Sequence, residues 1–125
     1  MRRDEFEIEV CANSVASSIS AEKGGADRVE LCDNLYEGGT TPSSGMIYQT
    51  KLKTSLKVFP IIRPRGSDFL YSDDEFNIMK KDIEHGLEIG ADGFVIGCLS
   101  QNGEIDYEKN SRNVWPGVCR YLCQP

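Results

Sequence analysis

The chain has 125 residues, of which 39% are hydrophobic and 27% are charged, as in a soluble globular domain. Its formal net charge of -6 offers no basic surface, which excludes nucleic acid and anionic membranes as expected partners. No apolar run reaches the roughly 18 residues of a transmembrane helix, and residues 1–6 lack the apolar core of a signal peptide. We therefore expect a cytoplasmic protein whose five cysteines are free thiols.

Two strands are predicted in the first quarter of the chain, at residues 6–11 and 28–32. In each, apolar residues alternate with an acid and a thiol, so one face is apolar and the other is polar. The polar faces carry Glu9, Cys11, Glu30 and Cys32. An Asn-Ser pair at 13–14 can cap the intervening helix, which is predicted to stop at the glycine pair 24–25.

The middle of the chain predicts a loop, a helix and a third strand. Residues 37–43 contain two glycines and then Thr-Thr-Pro-Ser, which suits the start of a helix over about 43–52. The glycine pair is either a tight turn or a source of backbone amides for an anion. The strand predicted over 57–63 contains Pro60, which is awkward inside a central strand.

The clearest helix begins at residues 72–75, where Ser-Asp-Asp-Glu has the capping-box spacing, and ends at Gly90. Its apolar stripe consists of Phe76, Met79, Ile83 and Leu87. His85, the single histidine, points away from that stripe and is expected to be solvated. A fourth short buried strand is predicted over 93–97, followed by a turn at 101–104.

This order of elements predicts a parallel sheet with helical crossovers. The strands start near residues 6, 28, 57 and 93, and a Gly-Ala-Asp sequence recurs at 25–27 and 90–92. The mean step of about 29 residues fits the units of a (β/α)₈ barrel. We predict an α/β fold of the (β/α)₈ TIM-barrel type with about the first four βα units, a half-barrel. It occupies residues 1–107, and residues 108–125 form an irregular tail.

The two thiols of the neighbouring strands are candidates for a metal site. Adjacent strands lie about 4.8 Å apart, so Cys11 and Cys32 could meet one soft cation such as Cu(I). The alternative is that both are small buried fillers, as free cysteines often are.

Acidic and basic residues are also predicted to gather at the barrel mouth. Glu9 and Glu30 are the candidates for acid or base catalysis, and Arg63 and Arg65 alternate onto one side of the third strand. Asp68 follows them and could close over the mouth. These charges predict either a site for a small anionic ligand or a structural layer of ion pairs.

Several ordered stretches resemble the CutC copper homeostasis family. They are Glu-Val-Cys-Ala-Asn-Ser at 9–14, Gly-Gly-Ala-Asp-Arg-Val-Glu-Leu-Cys at 24–32, Glu-Gly-Gly-Thr-Thr-Pro-Ser at 37–43, Ile-Arg-Pro-Arg-Gly at 62–66, Asp-Phe-Leu-Tyr-Ser-Asp at 68–73 and Gly-Ala-Asp-Gly at 90–93. The resemblance implies a (β/α)₈ barrel, a cytosolic location, a homo-oligomer and a role in copper handling. It places Cys11 and Cys32 at the positions proposed as Cu(I) ligands.

The chain departs from this family in two places. Ser67 stands where a second glycine usually follows Arg-Pro-Arg-Gly, a mild change unless the backbone there needs a positive φ. The resemblance also stops near residue 107, whereas the family continues for four more βα units. We therefore expect a truncated product whose open sheet edges favour pairing into a homo-oligomer.

Three functions remain open at this stage. The first is copper homeostasis through Cu(I) binding at Cys11 and Cys32. The second is a barrel enzyme of unknown reaction on a small anionic substrate. The third is an inactive truncated isoform.

Overall fold

The computed structural model describes residues 3–111, which form an α/β fold with parallel strands. The strands are β1 (Glu9–Ala12), β2 (Arg28–Leu31) and β3 (Lys57–Pro60), hydrogen-bonded in that order. The helices are α1 (Val15–Lys23), α2 (Ser44–Lys53) and α3 (Asp73–Glu88), with single 3₁₀ turns at Arg3–Glu5 and Leu35–Glu37. The predicted alternation of strands and helices is confirmed up to α3. None of the helices within residues 3–111 is long and apolar enough to cross a membrane.

Serine side chains start all three α-helices, as the sequence predicted for α1 and α3. Ser14 accepts a hydrogen bond from the Ser17 amide, and Ser72 and Glu75 form the reciprocal capping box. Ser43 caps α2 in the same way. His85 is exposed on α3, as expected.

The first strand is shorter than predicted, because it begins at Glu9 and not at residue 6. The Asp27 carboxylate accepts the Ile8 amide at 2.7 Å, so this amide is bonded to a side chain and not to a neighbouring strand. Phe6 and Ile8 remain 42% and 37% exposed. The predicted apolar face of this segment is therefore only partly covered.

The predicted fourth strand is reduced to one parallel bridge between Ile61 and Val95. The Val95 amide donates to the Pro60 carbonyl, and the Ile62 amide donates to the Val95 carbonyl. The next bridge toward the start of the strands would need an amide hydrogen from Pro60, which proline lacks. The segment is still buried beside β3, as expected, with Phe94, Val95 and Ile96 at most 4% exposed.

The two faces of the sheet pack into separate clusters. Val29, Leu31 and Val58 face α1 and α2, where they contact Ala21 and Ile47. The opposite face buries a second cluster, which consists of Cys32, Phe59, Ile61 and Val95. This division confirms the period-two alternation predicted for β2.

Helix α3 packs through Met79 and Ile83 against Phe94. The prediction that Leu87 belongs to this stripe is wrong, because Leu87 is 44% exposed. Gly86 takes the buried position instead, and a Cβ there would lie 2.6 Å from the Phe94 ring. The ring therefore occupies the space that a side chain at this turn of the helix would need.

The recurring Gly-Ala-Asp sequence forms the same backbone clasp in both places. The Asp27 amide donates to the Ile8 carbonyl, and its carboxylate accepts the Ile8 amide. Asp92 makes the equivalent pair of bonds with Val58. Each motif thus ties the chain after a helix to the strand that precedes that helix.

The last described residues pack against the domain. An antiparallel bridge between Leu99 and Ile105 closes the predicted turn at 101–104. Asn110 is buried, and its side chain binds both the amide and the carbonyl of Cys98. The predicted boundary at residue 107 stays a prediction, because most of the 108–125 tail, with Cys119 and Cys123, lies outside the described residues.

Candidate functional site

Parallel pairing of β1 and β2 brings the two predicted thiols together. Cys11 is the register partner of Glu30, and Cys32 lies two residues further along the same face. The two Sγ atoms are 3.7 Å apart. Both are free thiols, but Cys11 is exposed, whereas Cys32 is only 1% exposed. One sulfur of the pair is therefore open and the other is covered.

The surroundings of the pair keep both sulfurs protonated. Burial raises the pKa of Cys32 to about 12, and the neighbouring Cys11, Glu30 and Asp33 add to the rise. Partial burial likewise raises the pKa of Cys11, and the carboxylates of Glu30 and Glu9 add to it. A cation that binds these sulfurs must therefore displace protons.

The two candidate acid-base residues occupy different levels of the sheet. Glu30 is partly buried beside the thiols, because it is paired with Cys11 and precedes Cys32 by two residues. Glu9 starts β1, one level nearer the beginning of the strands, and its carboxylate binds the Arg28 Nε at 2.6 Å. Their proposed roles in catalysis stay predictions.

Arg28 is a buried part of this face that was not among the predicted site residues. Its guanidinium is paired with Glu7 and Glu9 and lies 4.7 Å from the centre of the Phe59 ring. The signal was present, because Arg28 shares the period-two alternation of Glu30 and Cys32. A layer of ion pairs therefore lies at the start of the strands, but Arg28 forms it with Glu7 and Glu9 in place of the predicted Arg63 and Arg65.

The loop with two glycines folds over Cys32. Gly38 and Gly39 have φ values of 83° and 95°, which residues with a side chain rarely adopt. A Cβ on Gly39 would lie 3.3 Å from Cys32 Cβ and 3.5 Å from its Sγ. The two glycine amides donate to carbonyls at residues 34 and 35, so they form a tight turn and are not turned toward an anion.

The Arg63 side chain is buried and bonded to backbone carbonyls of the protein itself. It is 6% exposed, and its guanidinium donates to the carbonyls of Glu37, Gly39 and Ser67 while lying over the Phe69 ring. The cavity beside it is about 10 Å³, which holds no more than a water-sized group. An anionic ligand would have to displace these carbonyls to reach the guanidinium.

Arg65 and Asp68 are also joined to each other and to the protein. Arg65 pairs with Glu75 at 2.7 Å and with Asp68 at 3.1 Å, and it donates to carbonyls of the same loop. Its guanidinium lies over the Tyr71 ring. This network holds the loop in place, and the anion-binding roles of Arg63, Arg65 and Asp68 stay predictions.

The thiol pair supplies two ligands of one soft type. Within residues 3–111, no group of three or more His, Cys, Asp or Glu side chains is arranged to hold a metal ion. Thiolates favour soft cations such as Cu(I), and the neighbouring Glu30 adds negative charge. A site of this kind suits a cation that accepts few ligands.

Comparison with known proteins agrees with this arrangement of motifs. The CutC family model matches residues 6–115. The human copper homeostasis protein cutC homolog is 54% identical over 103 residues, which cover 82% of this chain and 38% of the human protein. A CutC family protein from Bacteroides thetaiotaomicron is 57% identical over 102 residues, covering 81% of this chain and 41% of that protein.

A solved structure gives the same result. The crystal structure of CutC from Streptococcus agalactiae matches with a TM-score of 0.83 at 37% identity, over 92% of this chain and 57% of that one. This chain spans about 40% of the length of the curated relatives that it matches. On the family match and these identities, the chain belongs to the CutC family.

Proposed function

We propose that this chain binds Cu(I) through Cys11 and Cys32 and acts in copper homeostasis. The observation that carries the proposal is the 3.7 Å separation of the two sulfur atoms on one face of a parallel strand pair. The names of the human and mouse relatives, copper homeostasis protein cutC homologs, support it.

The spacing of the sulfurs suits one shared ion. A metal–thiolate bond is about 2.3 Å for zinc, and 3.7 Å is less than twice that length. One ion can therefore touch both sulfurs without separating the strands. Cys11 and Cys32 would hold it, and Glu30 would offset its positive charge.

We also propose a cytoplasmic location, because the described cysteines are free thiols, and these persist in reducing compartments. Cell fractionation that found the chain in an oxidising compartment would contradict it.

The test is an anaerobic Cu(I) titration against a coloured competing chelator. We expect roughly one ion per chain, and a loss of binding in the Cys11→Ser, Cys32→Ser double variant, because thiolates supply both ligands. Affinity should also rise with pH by up to about tenfold per unit for each proton released, because both thiols have raised pKa values.

The matched control is Cys98→Ser, since Cys98 is as buried as Cys32 but belongs to a different cluster. A background with Cys119→Ser and Cys123→Ser removes the other sulfur pair of the sequence. Unchanged binding in the Cys11, Cys32 double variant, or an affinity independent of pH, would refute the proposal.

We further propose that the chain forms a homo-oligomer through the edge of the sheet at β1. Within residues 3–111, β1 has a hydrogen-bonded strand on one side only. Phe6 and Ile8 are exposed beside that edge. Unpaired strand edges with apolar neighbours favour association.

A further inference from the structure

We infer that Arg63 is a positioning residue of the thiol site, because it latches the segment Glu37–Gly39 over Cys32 and so controls access to this sulfur. The inference rests on the proposed function only where it says that exposing Cys32 serves Cu(I) binding. The latch itself concerns the exposure of a thiol and can be measured without copper.

The segment covers only one of the two sulfurs. Gly39 lies so close to Cys32 that an added Cβ would be 3.5 Å from its Sγ, and Cys32 is 1% exposed. Cys11, whose sulfur is 3.7 Å away, is exposed. An incoming ion therefore meets Cys11 first, and it reaches Cys32 freely only when the segment moves.

Arg63 is the main anchor of this segment. Its Nη1 donates to the carbonyl of Glu37 and, at 3.0 Å, to that of Gly39, so one charged group holds both ends of the segment. Hydrogen bonds from a charged donor are about twice as strong as neutral ones. The Phe69 ring and the Ser67 carbonyl fix the guanidinium from the opposite side.

The backbone of Arg63 also holds the chain that follows the segment. Its amide donates to the Thr41 hydroxyl at 2.9 Å, and its carbonyl accepts the Thr41 amide at 3.0 Å. Residues on both sides of Thr40 are thus tied to one arginine in the loop that follows β3. Movement of the segment requires the guanidinium bonds to break, whereas the bonds to Thr41 can stay.

Apart from the bonds from Arg63, the segment is held by backbone bonds within its own turn and by the bridge between Asp33 and Thr40 at the base of that turn. Tyr36 is fully exposed and Leu35 is 45% exposed, so the turn buries little apolar surface. Gly38 and Gly39 adopt positive φ values that favour glycine, and glycine has no side chain that could pack against the protein. Losing the bonds from Arg63 therefore favours local opening, in which the turn swings away from Cys32 as a unit and keeps its own backbone bonds.

The test is site-resolved alkylation of the thiols of the 125-residue chain by iodoacetamide, followed by peptide mass spectrometry. In the Arg63→Lys variant, the ammonium keeps the charge, but its single nitrogen cannot take the places of both Nη1, which binds the Glu37 and Gly39 carbonyls, and Nη2, which binds the Ser67 carbonyl. We expect Cys32 to react at least about tenfold faster than in the unmodified chain. Cys98, which is equally buried but held by Asn110, should keep its rate.

The matched control variant is Arg65→Lys. Arg65 also binds loop carbonyls, but none of its bonds reaches residues 37–39, so the Cys32 rate should not change. Equal acceleration of Cys32 and Cys98 in Arg63→Lys would indicate general loosening and would overturn the inference. An unchanged Cys32 rate would overturn it as well.

A second measurement needs no substitution. In low urea, alkylation of Cys32 through local opening should rise less steeply with urea than alkylation of Cys98, because less surface is exposed. Identical urea slopes for the two thiols would count against a local latch. Cu(I) titration is a separate experiment, so its result can refute the copper proposal without refuting the role of Arg63, and the alkylation rates can do the reverse.

Discussion

Ser67 and Asn34 are the two described residues other than glycine with a positive φ, and serine tolerates this conformation less well than asparagine. The Ser67 φ of 71° lies in the region that favours glycine, and the Ser67 carbonyl accepts a hydrogen bond from Arg63. The sequence had suggested that a serine would be harmless here unless a positive φ was required. The structure requires one, so the loop pays a conformational cost to keep its carbonyl turned toward Arg63.

We expect Ser67→Gly to raise the free energy of unfolding by about 1 kcal/mol, because glycine removes the Cβ penalty at positive φ. Urea denaturation followed by circular dichroism measures this change. Ser55→Gly is the control, and it should lower stability, since it adds chain entropy without relieving strain. A Ser67→Gly protein no more stable than the parent would show that the strain is absent.

Arg63 and Arg65, which both lie in the loop after β3, show how the role of an arginine can be misassigned from sequence. Guanidinium groups after a strand often bind anions, and that expectation was reasonable for Arg63 and Arg65. In the fold, most of their donors are turned to backbone carbonyls and to Glu75. Loops without regular structure leave carbonyls unpaired, and a buried arginine can bind several of them at once.

At the scale of elements, the two Gly-Ala-Asp motifs differ in how much stability is lost when the aspartate side chain is removed. The Val58 amide that donates to Asp92 belongs to a residue that is 0% exposed, so it is better shielded from water than the Ile8 amide. The Ile8 amide that Asp27 accepts lies at an exposed edge. The same motif therefore binds a buried amide of β3 in one case and an exposed amide before β1 in the other.

We expect Asp92→Ala to lower the free energy of unfolding by about 2–3 kcal/mol and Asp27→Ala by about 1 kcal/mol. The difference follows from leaving a buried amide without an acceptor at Val58. Urea denaturation provides the measurement, with Asp92→Asn restoring most of the loss, because its amide oxygen can still accept.

Asp92 also binds Lys51 at 2.7 Å, so Lys51→Ala serves as the control for that surface ion pair. It should cost less than about 1 kcal/mol. Equal losses for Asp27→Ala and Asp92→Ala would contradict the role assigned to burial.

At the scale of the whole molecule, we expect a homodimer in sedimentation velocity at micromolar concentration. The free side of β1 and the exposed pair Phe6 and Ile8 provide a surface that association would cover. The variant Phe6→Ser, Ile8→Ser should shift the protein to the monomer. Ile78→Ser on α3 is the control, because Ile78 is also exposed but lies on a helix face away from the sheet edge. A compact monomer of the unmodified chain would rule this assembly out.

Local signals determined much of the fold in advance. Period-two alternation identified β2 and its two faces, and serine caps located the starts of α1 and α3. The Gly-Ala-Asp repeat marked two equivalent junctions. These features depend on neighbours along the chain, and residues that are close in sequence carry enough information to predict them.

The remaining features depended on which segments meet in space. The sequence placed Cys11 and Cys32 on neighbouring strands, but only the register of β1 on β2 set their sulfurs 3.7 Å apart. Only packing showed that the glycine turn covers Cys32 and that Arg63 holds it there. Hydrogen bonds between residues 24 or more positions apart leave no periodic trace in the chain. The tertiary structure therefore decided which charges bind the protein itself and which sulfur is open to a cation.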